Sequence, residues 1–473
     1  MPTQCIPEQL EFQGLGVRRV VADFSGGRVT SDAGALLLRE VETGSGILEQ
    51  FSRCFVDHRN PFLVEHTLPE LLAQRVYGIA LGYEDLNDHD WIRHDALLAT
   101  LVGKTDPTGA GRIRERDRGY PLAGKSTLNR LELAPAGVAS DHRYHRIVCQ
   151  PEAVDRFLVD VFLQAHEHPP GRIVLDLDAT DDPLHGTQEG RFFNGYYGCY
   201  CYLPLYVFCG GHLLCARLRS SGRRAADGAI DEVKRIVAQI RESWPVVEIV
   251  LRGDADFSDD EIMTWCEANG VDYVFGLEKN SRLLNRLRRK MRRAEFQCRR
   301  TGQATRCFLD FTYRTRKTWS RSRRVIGKAE HLPGKANPRF VVTSLPPQEL
   351  RARALYEGFY CARGDMENRI KEQQLGLFAD RTSSATFCAN QLRLWFSSVA
   401  YVLLHELRRV GLKGTEMAQA QCTTIRNRLL KIGAQVSVSV RRVWVRCASG
   451  YPFQRLFAEV LANLQARYRP LRT

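Results

Sequence analysis

A chain of 473 residues is longer than one hydrophobic core supports, so roughly two to four domains are expected. Its 44% apolar composition excludes wholesale disorder. Sixty-eight Lys and Arg against 54 Asp and Glu leave a net charge of +14, a balance that favours a polyanionic partner.

The opening Met1-Pro-Thr-Gln-Cys-Ile-Pro7 has neither the basic start nor the apolar core of a secretory leader. None of the 14 cysteines forms a C-x-x-C pair, and the closest, Cys199 and Cys201, would point to opposite faces of a strand. Reduced, mostly buried thiols in a cytosolic protein are therefore expected. Residues 1–165 read as a mainly helical domain after a short extended start. Ser31-Asp32 is placed to cap Ala35–Val41, and the helical pattern returns over Leu68–Leu81. Gly103–Tyr120, rich in Gly, Pro and Arg, reads as a loop that orders against a partner. A helix begins at Ser126; its Asn129 and Arg130 suit adenine and guanine edges in a major groove.

Gly119-Tyr-Pro-Leu-Ala-Gly124-Lys125-Ser126 also satisfies the P-loop pattern letter for letter. A phosphate-cradling loop must leave a buried apolar strand, which Arg112-Ile-Arg-Glu-Arg-Asp-Arg118 cannot form. A P-loop ATPase, with Ile173–Asp178 as its acidic strand, stands as an alternative.

After Pro169 the order of elements changes. Strands are expected at Ile173–Asp178, Gly195–Phe208 and His212–Leu218, the last two joined through Gly210-Gly211. Helix Ala225–Trp244, strand Val247–Leu251, helix Ser258–Asn269 and strand Val271–Leu277 follow, with Ser258 as N-cap and Gly270 past the helix end. By analogy, that order matches an α/β ribonuclease-H-like core, a mixed sheet flanked by helices, begun by residues 166–277. Residues 278–345 then read as a basic β-rich insertion. Arg282–Arg300 holds nine Lys and Arg with one Glu, Arg306–Lys328 eight with one Asp, and Phe308–Tyr313 and Phe340–Val342 favour strand. Tyr313 and Trp319 stand among these charges, so the stretch reads as a phosphate-tracking surface with aromatics available for bases. Residues 346–410 return to helix and complete the core. Leu394–Leu404, about half a membrane span, reads as a buried helix, so no membrane is expected. The C-terminal region, 411–473, combines a strand-like Val436–Arg446 with a helix Phe453–Ala466, and its function is not legible.

Three carboxylates carry the chemistry. Asp178 and Asp254 close strand-like apolar runs, and Glu367 lies far downstream on a basic helix. Two strand-end acids and a helical one suit a pair of Mg²⁺ ions, the arrangement phosphodiester chemistry uses. On a helix, Tyr360, Arg363, Glu367 and Lys371 share one face, beside which an aromatic and cations can hold a nucleic-acid end. Asp176 shares strand parity with Asp178, and Asp256 with Asp254; Asp181 and Asp182 read as loop acids.

Tyr360-x2-Arg363-x3-Glu367 resembles the Tyr-Arg-Glu signature of bacterial insertion-sequence transposases of the DDE type. Asp178-Ala-Thr180, Arg252-Gly-Asp254-Ala-Asp-Phe257, Gly358–Glu372 and Arg75-Val-Tyr-Gly-Ile-Ala-Leu-Gly-Tyr83-Glu-Asp-Leu-Asn-Asp88 look like that family too, over most of the chain. The signature's lysine falls on Gln374, with Lys371 one turn earlier as substitute. The resemblance implies cut-and-paste transposition. Asp178, Asp254 and Glu367 would hold two Mg²⁺ ions, which Mn²⁺ can replace. Arg363 would bind a phosphate near the transposon end with Tyr360 packed beside it, and Trp319 would hold a flipped base. The implied partners are double-stranded DNA, as terminal inverted repeats and target, and a second subunit in a homodimer on paired ends. The implied location is cytoplasmic, at a bacterial nucleoid. A related nuclease without strand transfer and a non-catalytic DNA-binding descendant are the competing readings.

Overall fold

The computed structural model describes residues 9–134, 141–224 and 226–468. Met1–Pro7 and Ala225, the first residue of an expected helix, lie outside them. The chain divides into two units, one of Met1–Ser52, Asp57–Leu131 and Glu406–Thr473, the other of Arg53–Val56 and Glu132–His405.

The first unit is mainly helical. Leu68–Leu81 forms a helix with the expected bounds, opened by a Thr67–Glu70 capping box and ended at Gly82 in the left-handed region. Asp32 makes no cap to the helical turn after it. Its carboxylate instead accepts from the Tyr83 hydroxyl at 2.7 Å and pairs with Lys431 at 2.6 Å. The 103–120 loop is held within the unit, with Arg112 donating to Glu65 at 2.9 Å and to the Tyr120 carbonyl at 2.6 Å. Val436–Arg446 is a hairpin rather than one strand: Ala434–Val438 pairs with Val443–Cys447 and, on its other side, with Val29–Thr30. The C-terminal segment thus folds together with N-terminal residues, and Arg426 donates to the Ala80 carbonyl at 2.8 Å.

The second unit is built on a nine-stranded mixed sheet. Its chain order is β1 (Arg172–Ala179), β2 (Leu205–Cys209), β3 (His212–Arg217), α1 (Ala229–Ser243), β4 (Glu248–Gly253), α2 (Asp260–Ala268) and β5 (Asp272–Leu277). Then come α3 (Ser281–Thr301), β6 (Thr305–Tyr313), β7 (Arg323–Leu332), β8 (Lys335–Ala336), β9 (Arg339–Thr343), α4 (Gly364–Leu377) and α5 (Phe387–Glu406). The strands lie in the order β3-β2-β1-β4-β5-β9-β7-β6, with β8 beside β7. Only β1–β4 and β4–β5 pair in parallel. Gly210 turns β2 into β3 with φ +58°, as the Gly-Gly pair anticipates.

Three further expectations need correction. Gly195–Phe208 is not one strand: Cys199–Tyr202 pairs with Phe192–Asn194 and Asp182–Pro183 in a separate small sheet, and β2 begins after Pro204. The basic stretch opens with a 21-residue helix, α3, and its strands β6–β9 join the central sheet. Asp259, not Ser258, caps α2 by accepting from the Glu261 amide.

Strand alternation divides the residues between two faces. Ile173, Leu175 and Leu177 of β1, with Ile249 and Leu251 of β4, pack with Val233, Ile236, Ile262, Met263, Leu283 and Leu287 of α1, α2 and α3. On the other face Val174, Val250 and Val274 meet Leu355, Tyr356, Phe359 and Tyr360. Asp176, Asp178, Arg252 and Gly276 share this second parity, so the sheet aims its acids at the segment that leads into α4. The 394–404 stretch is buried within α5. Among the described residues no helix is long and apolar enough to cross a membrane, and no described cysteine is in a disulfide.

Candidate active site

Register places the first two acids side by side. Leu177 of β1 lies opposite Gly253 of β4, so Asp178 and Asp254 are the next residues on adjoining parallel strands. One layer below, Arg252 grips Asp176 with Nε and Nη2, at 2.5 and 2.8 Å, and donates from Nη1 to the Phe359 carbonyl at 2.5 Å. That buried pair uses up Asp176 and ties the sheet to the segment carrying Tyr360. Asp256 is exposed on a 3₁₀ turn, whereas Asp254 is half-buried and accepts from the Asp256 amide at 3.0 Å. Asp178 and Asp254 are thus the pair at the strand ends, with Asp176 committed to Arg252 and Asp256 turned out to solvent.

The third acid arrives on an irregular support. Ala354–Tyr360 winds as π-helix, Cys361–Arg363 as 3₁₀-helix, and α4 starts only at Gly364. A regular helical face through Tyr360, Arg363, Glu367 and Lys371 is therefore not what forms; such local rewinding re-aims side chains. Arg363 donates to Asp178 Oδ2 at 3.2 Å and to Glu367 Oε1 at 2.6 Å, bridging strand and helix. Tyr360 reaches the same place. At Gly276 of β5 a Cβ would lie 2.7 Å from the Tyr360 hydroxyl and 2.8 Å from the Ala255 amide nitrogen, so only glycine fits there. Lys371 is exposed, a turn beyond.

Gln374, where the resemblance expects lysine, braces the loop after Asp178: its Nε2 donates to the Asp181 carbonyl at 3.2 Å and to Asp182 Oδ1 at 3.0 Å. Asp182 is not a loop acid. It is fully buried in a short strand, and burial pushes its carboxyl up to about 8. The two other expected DNA contacts, half-buried Asn129 and exposed Arg130, lie on helix Lys125–Glu132 in the first unit. Trp319 does not present a face. It is 5% exposed, packed edge-on against Tyr313 at 5.8 Å with the Arg323 guanidinium 5.5 Å over its ring. A flipped base has no free surface there.

Electrostatics favour a cation at the acids. Burial, then repulsion from Asp254 and Glu367, raises the Asp178 carboxyl to about 7 against the pull of Arg363. Asp254 is raised by burial and by Asp256. Arg363 is itself held more firmly protonated: Asp178 and Glu367 outweigh the burial that opposes its charge. Among the described residues no three His, Cys, Asp or Glu side chains close on one point, and Arg363 lies between two of the acids. The donor set is nevertheless all carboxylate oxygen, which suits a hard divalent ion such as Mg²⁺.

The P-loop look-alike fails on geometry. Its lead-in is a 3₁₀ turn, Glu115–Asp117, rather than a strand. Asp90 sits where a phosphate would, accepting from the Lys125 amide at 3.0 Å and lying 3.6 Å from the Lys125 ammonium. A carboxylate there repels a phosphate.

A family model, Transposase DDE domain group 1, matches residues 12–468. The chain belongs to this family. Membership in a DDE transposase family places it among enzymes that cut and transfer DNA strands, a class that generally uses divalent metal ions. No curated protein matches the chain. Among solved structures, the cryo-EM structure of a piggyBac transposase synaptic complex with hairpin DNA is similar at 12% identity and TM-score 0.40, covering 85% of this chain and 80% of that one. That likeness is too distant to assign a role to any residue.

The reading of the sequence missed Gly276 and gave no structural role to Arg252 or Gln374. A signal existed for Arg252: a cation and an acid, Arg252 and Asp176, each interrupt an otherwise apolar strand. For Gly276 there was none, and Gln374 stood out only as the position of the signature's missing lysine.

Proposed function

We propose that this DDE family member is a bacterial insertion-sequence transposase that performs cut-and-paste transposition with Asp178, Asp254 and Glu367 as its catalytic carboxylates on a ribonuclease-H-like core. The observation that carries the reading is the juxtaposition of Asp178 and Asp254 at adjoining parallel strand ends, with Glu367 drawn to Asp178 through Arg363. Bound divalent ions, two Mg²⁺ or Mn²⁺, would supply activation of water and then of the freed 3′-hydroxyl for in-line attack on phosphodiesters.

The chain's own residues do the rest. Asp178 and Asp254 offer oxygens from a rigid sheet, fixed by the Arg252–Asp176 pair beneath them. Arg363 neutralises the acids before DNA arrives and has a guanidinium suited to a phosphate beside the transposon end. Tyr360, wedged over Gly276, holds the start of the glutamate segment against β5. Lys371 and the cations of α3 face solvent and suit DNA backbone, while Asn129 and Arg130 suit the reading of terminal repeats. In domain terms, residues 1–165 would serve DNA binding, 166–277 and 346–410 the catalytic core, 278–345 the basic insertion and 411–473 a C-terminal region. Paired ends call for a homodimer.

The test is to replace Asp178, Asp254 and Glu367 singly by alanine. Each variant should lose cleavage of DNA bearing the sequences that flank its own gene, by about 1,000-fold or more, while affinity for that DNA stays within about threefold. Cleavage that persists in any of the three would remove that residue from the site.

A further inference from the structure

The small sheet between β1 and β2 carries an aromatic surface that the reading above does not use. Phe192–Asn194 pairs with Cys199–Tyr202 around the loop Gly195-Tyr196-Tyr197-Gly198, with Phe193 opposite Tyr200. The tip is rigidly made. Gly198 takes φ +70° and its amide donates to the Asn194 carbonyl at 2.8 Å, while the Asn194 side chain accepts from the Tyr196 amide at 2.9 Å. Ser221 fastens the base of the hairpin, donating to the Phe192 carbonyl at 3.0 Å and accepting from Asn194 Nδ2 at 3.2 Å.

On this frame Phe192, Phe193, Tyr196 and Tyr200 are all exposed, Tyr196 to 90%, and Tyr197 reaches 36%. The rings order one another. Tyr196 meets Tyr197 edge-on at 4.9 Å, and Phe193 meets Tyr200 at 5.5 Å. A clustered aromatic surface in water costs free energy unless something covers it. Its surroundings say what. The Arg191 guanidinium lies 4.8 Å over the Tyr200 ring, and exposed Arg223 follows the Ser221-Gly222 turn on which Phe192 rests, while its neighbour Arg224 is paired with Asp227 and Asp259. The hairpin is also anchored close to Asp178 in the chain: its Tyr202 and Cys201 pair with Asp182 and Pro183, and Asp182 lies four residues past that acid. Flat exposed rings with Arg191 against one of them and exposed Arg223 nearby match a ligand that is itself flat, aromatic and polyanionic. Paired bases within a duplex keep their faces stacked on one another, so such rings are open only to bases out of the helix.

We infer that the Phe192–Tyr202 hairpin is a stacking surface for unpaired nucleobases of the DNA strand at the carboxylate site, with Tyr196 and Tyr200 as its principal platforms and Arg191 as a phosphate contact. The inference rests on the DNA-transposase reading but makes a separate demand: a preference for unpaired DNA that sits in these side chains.

The test uses the full chain and two DNA probes, one duplex blunt and the same duplex with a short single-stranded 3′ overhang carrying 2-aminopurine. Wild type should bind the overhang duplex about tenfold more tightly or better, and quench the 2-aminopurine on binding. Tyr196→Ala with Tyr200→Ala should abolish the preference and the quenching while leaving blunt-duplex affinity unchanged; Tyr196→Phe with Tyr200→Phe should retain both. An unaltered thermal unfolding midpoint in the alanine variant would exclude loss of fold. Equal affinity of wild type for both probes, or a preference that survives in the alanine variant, overturns the hairpin's role and leaves the DNA reading intact. Binding to neither probe overturns both.

Discussion

Helix α3 and strand β7 come from one basic stretch, yet their cations do opposite things. Arg286, Arg288, Arg289, Arg292 and Arg293 of α3 are exposed, and none has an acidic partner among the described residues. In β7, Arg323 is 2% exposed and bridges Asp260 at 2.5 Å and Glu267 at 2.8 Å. Its neighbours behave alike: Arg324 pairs with Asp310 at 2.7 Å, and Lys328 with Glu330 at 2.6 Å. Charge density alone therefore says nothing about partners. What separates the two is where the apolar residues fall. Leu283, Leu287, Ala294 and Cys298 anchor one face of α3 and leave the cations outside, whereas β7 lies inside the sheet and must neutralise what it carries.

The largest effect that follows concerns folding. Arg323→Ala should cost about 3 kcal/mol in urea unfolding, because it strands two acids that were paired, and should leave the salt dependence of DNA binding as it was. A cost under about 0.5 kcal/mol would dissolve the contrast. Next comes the reverse experiment. Replacing Arg286, Arg289 and Arg293 together by glutamine should leave stability within about 0.5 kcal/mol, yet flatten the slope of log affinity against log salt by up to about 3. An unchanged slope would take α3 off the DNA path.

The smallest effect extends the comparison to an acid. Burial raises Asp182 to about 8 from an ordinary 3.8, so its favourable contribution to the folded state is complete below about pH 4 and is lost as pH rises through 8. Asp182→Asn, which cannot ionise, should be the more stable protein at pH 8 by on the order of 1–2 kcal/mol and lose that advantage near pH 4. Parallel stability curves across that range would mean that Asp182 is already charged.

How much of this was legible follows from where the chain's local signals were strong. The strands bearing Asp178 and Asp254 were readable because mostly apolar runs rich in Val, Ile and Leu lead to those acids, and α2, β5 and helix Leu68–Leu81 formed within a residue or two of expectation. The split of 195–208 had a signal that went unused: Pro204 lacks the amide a continuous ladder needs. In α3 the dense cations hid a helical spacing of Leu283, Leu287, Ala294 and Cys298. The π and 3₁₀ winding before Glu367 had no local cue, because it is set by what the segment must meet: Arg252, Gly276 and Asp178, each more than 80 residues earlier in the chain. Trp319 failed as a base platform for the same reason. Its neighbours Tyr313 and Arg323 lie near in sequence, but the sheet and α2 that bury it do not.

The most direct test of the central claim, that Asp254 acts through a bound divalent ion, compares Asp254→Ala with Asp254→Cys on DNA carrying the protein's own flanking sequences. A thiolate is a poor ligand for Mg²⁺ and a better one for Mn²⁺. The account predicts that neither variant cuts in Mg²⁺ and that Mn²⁺ restores cutting at the element's borders to the cysteine variant alone. Cutting by Asp254→Ala at those borders, in either metal, would contradict it.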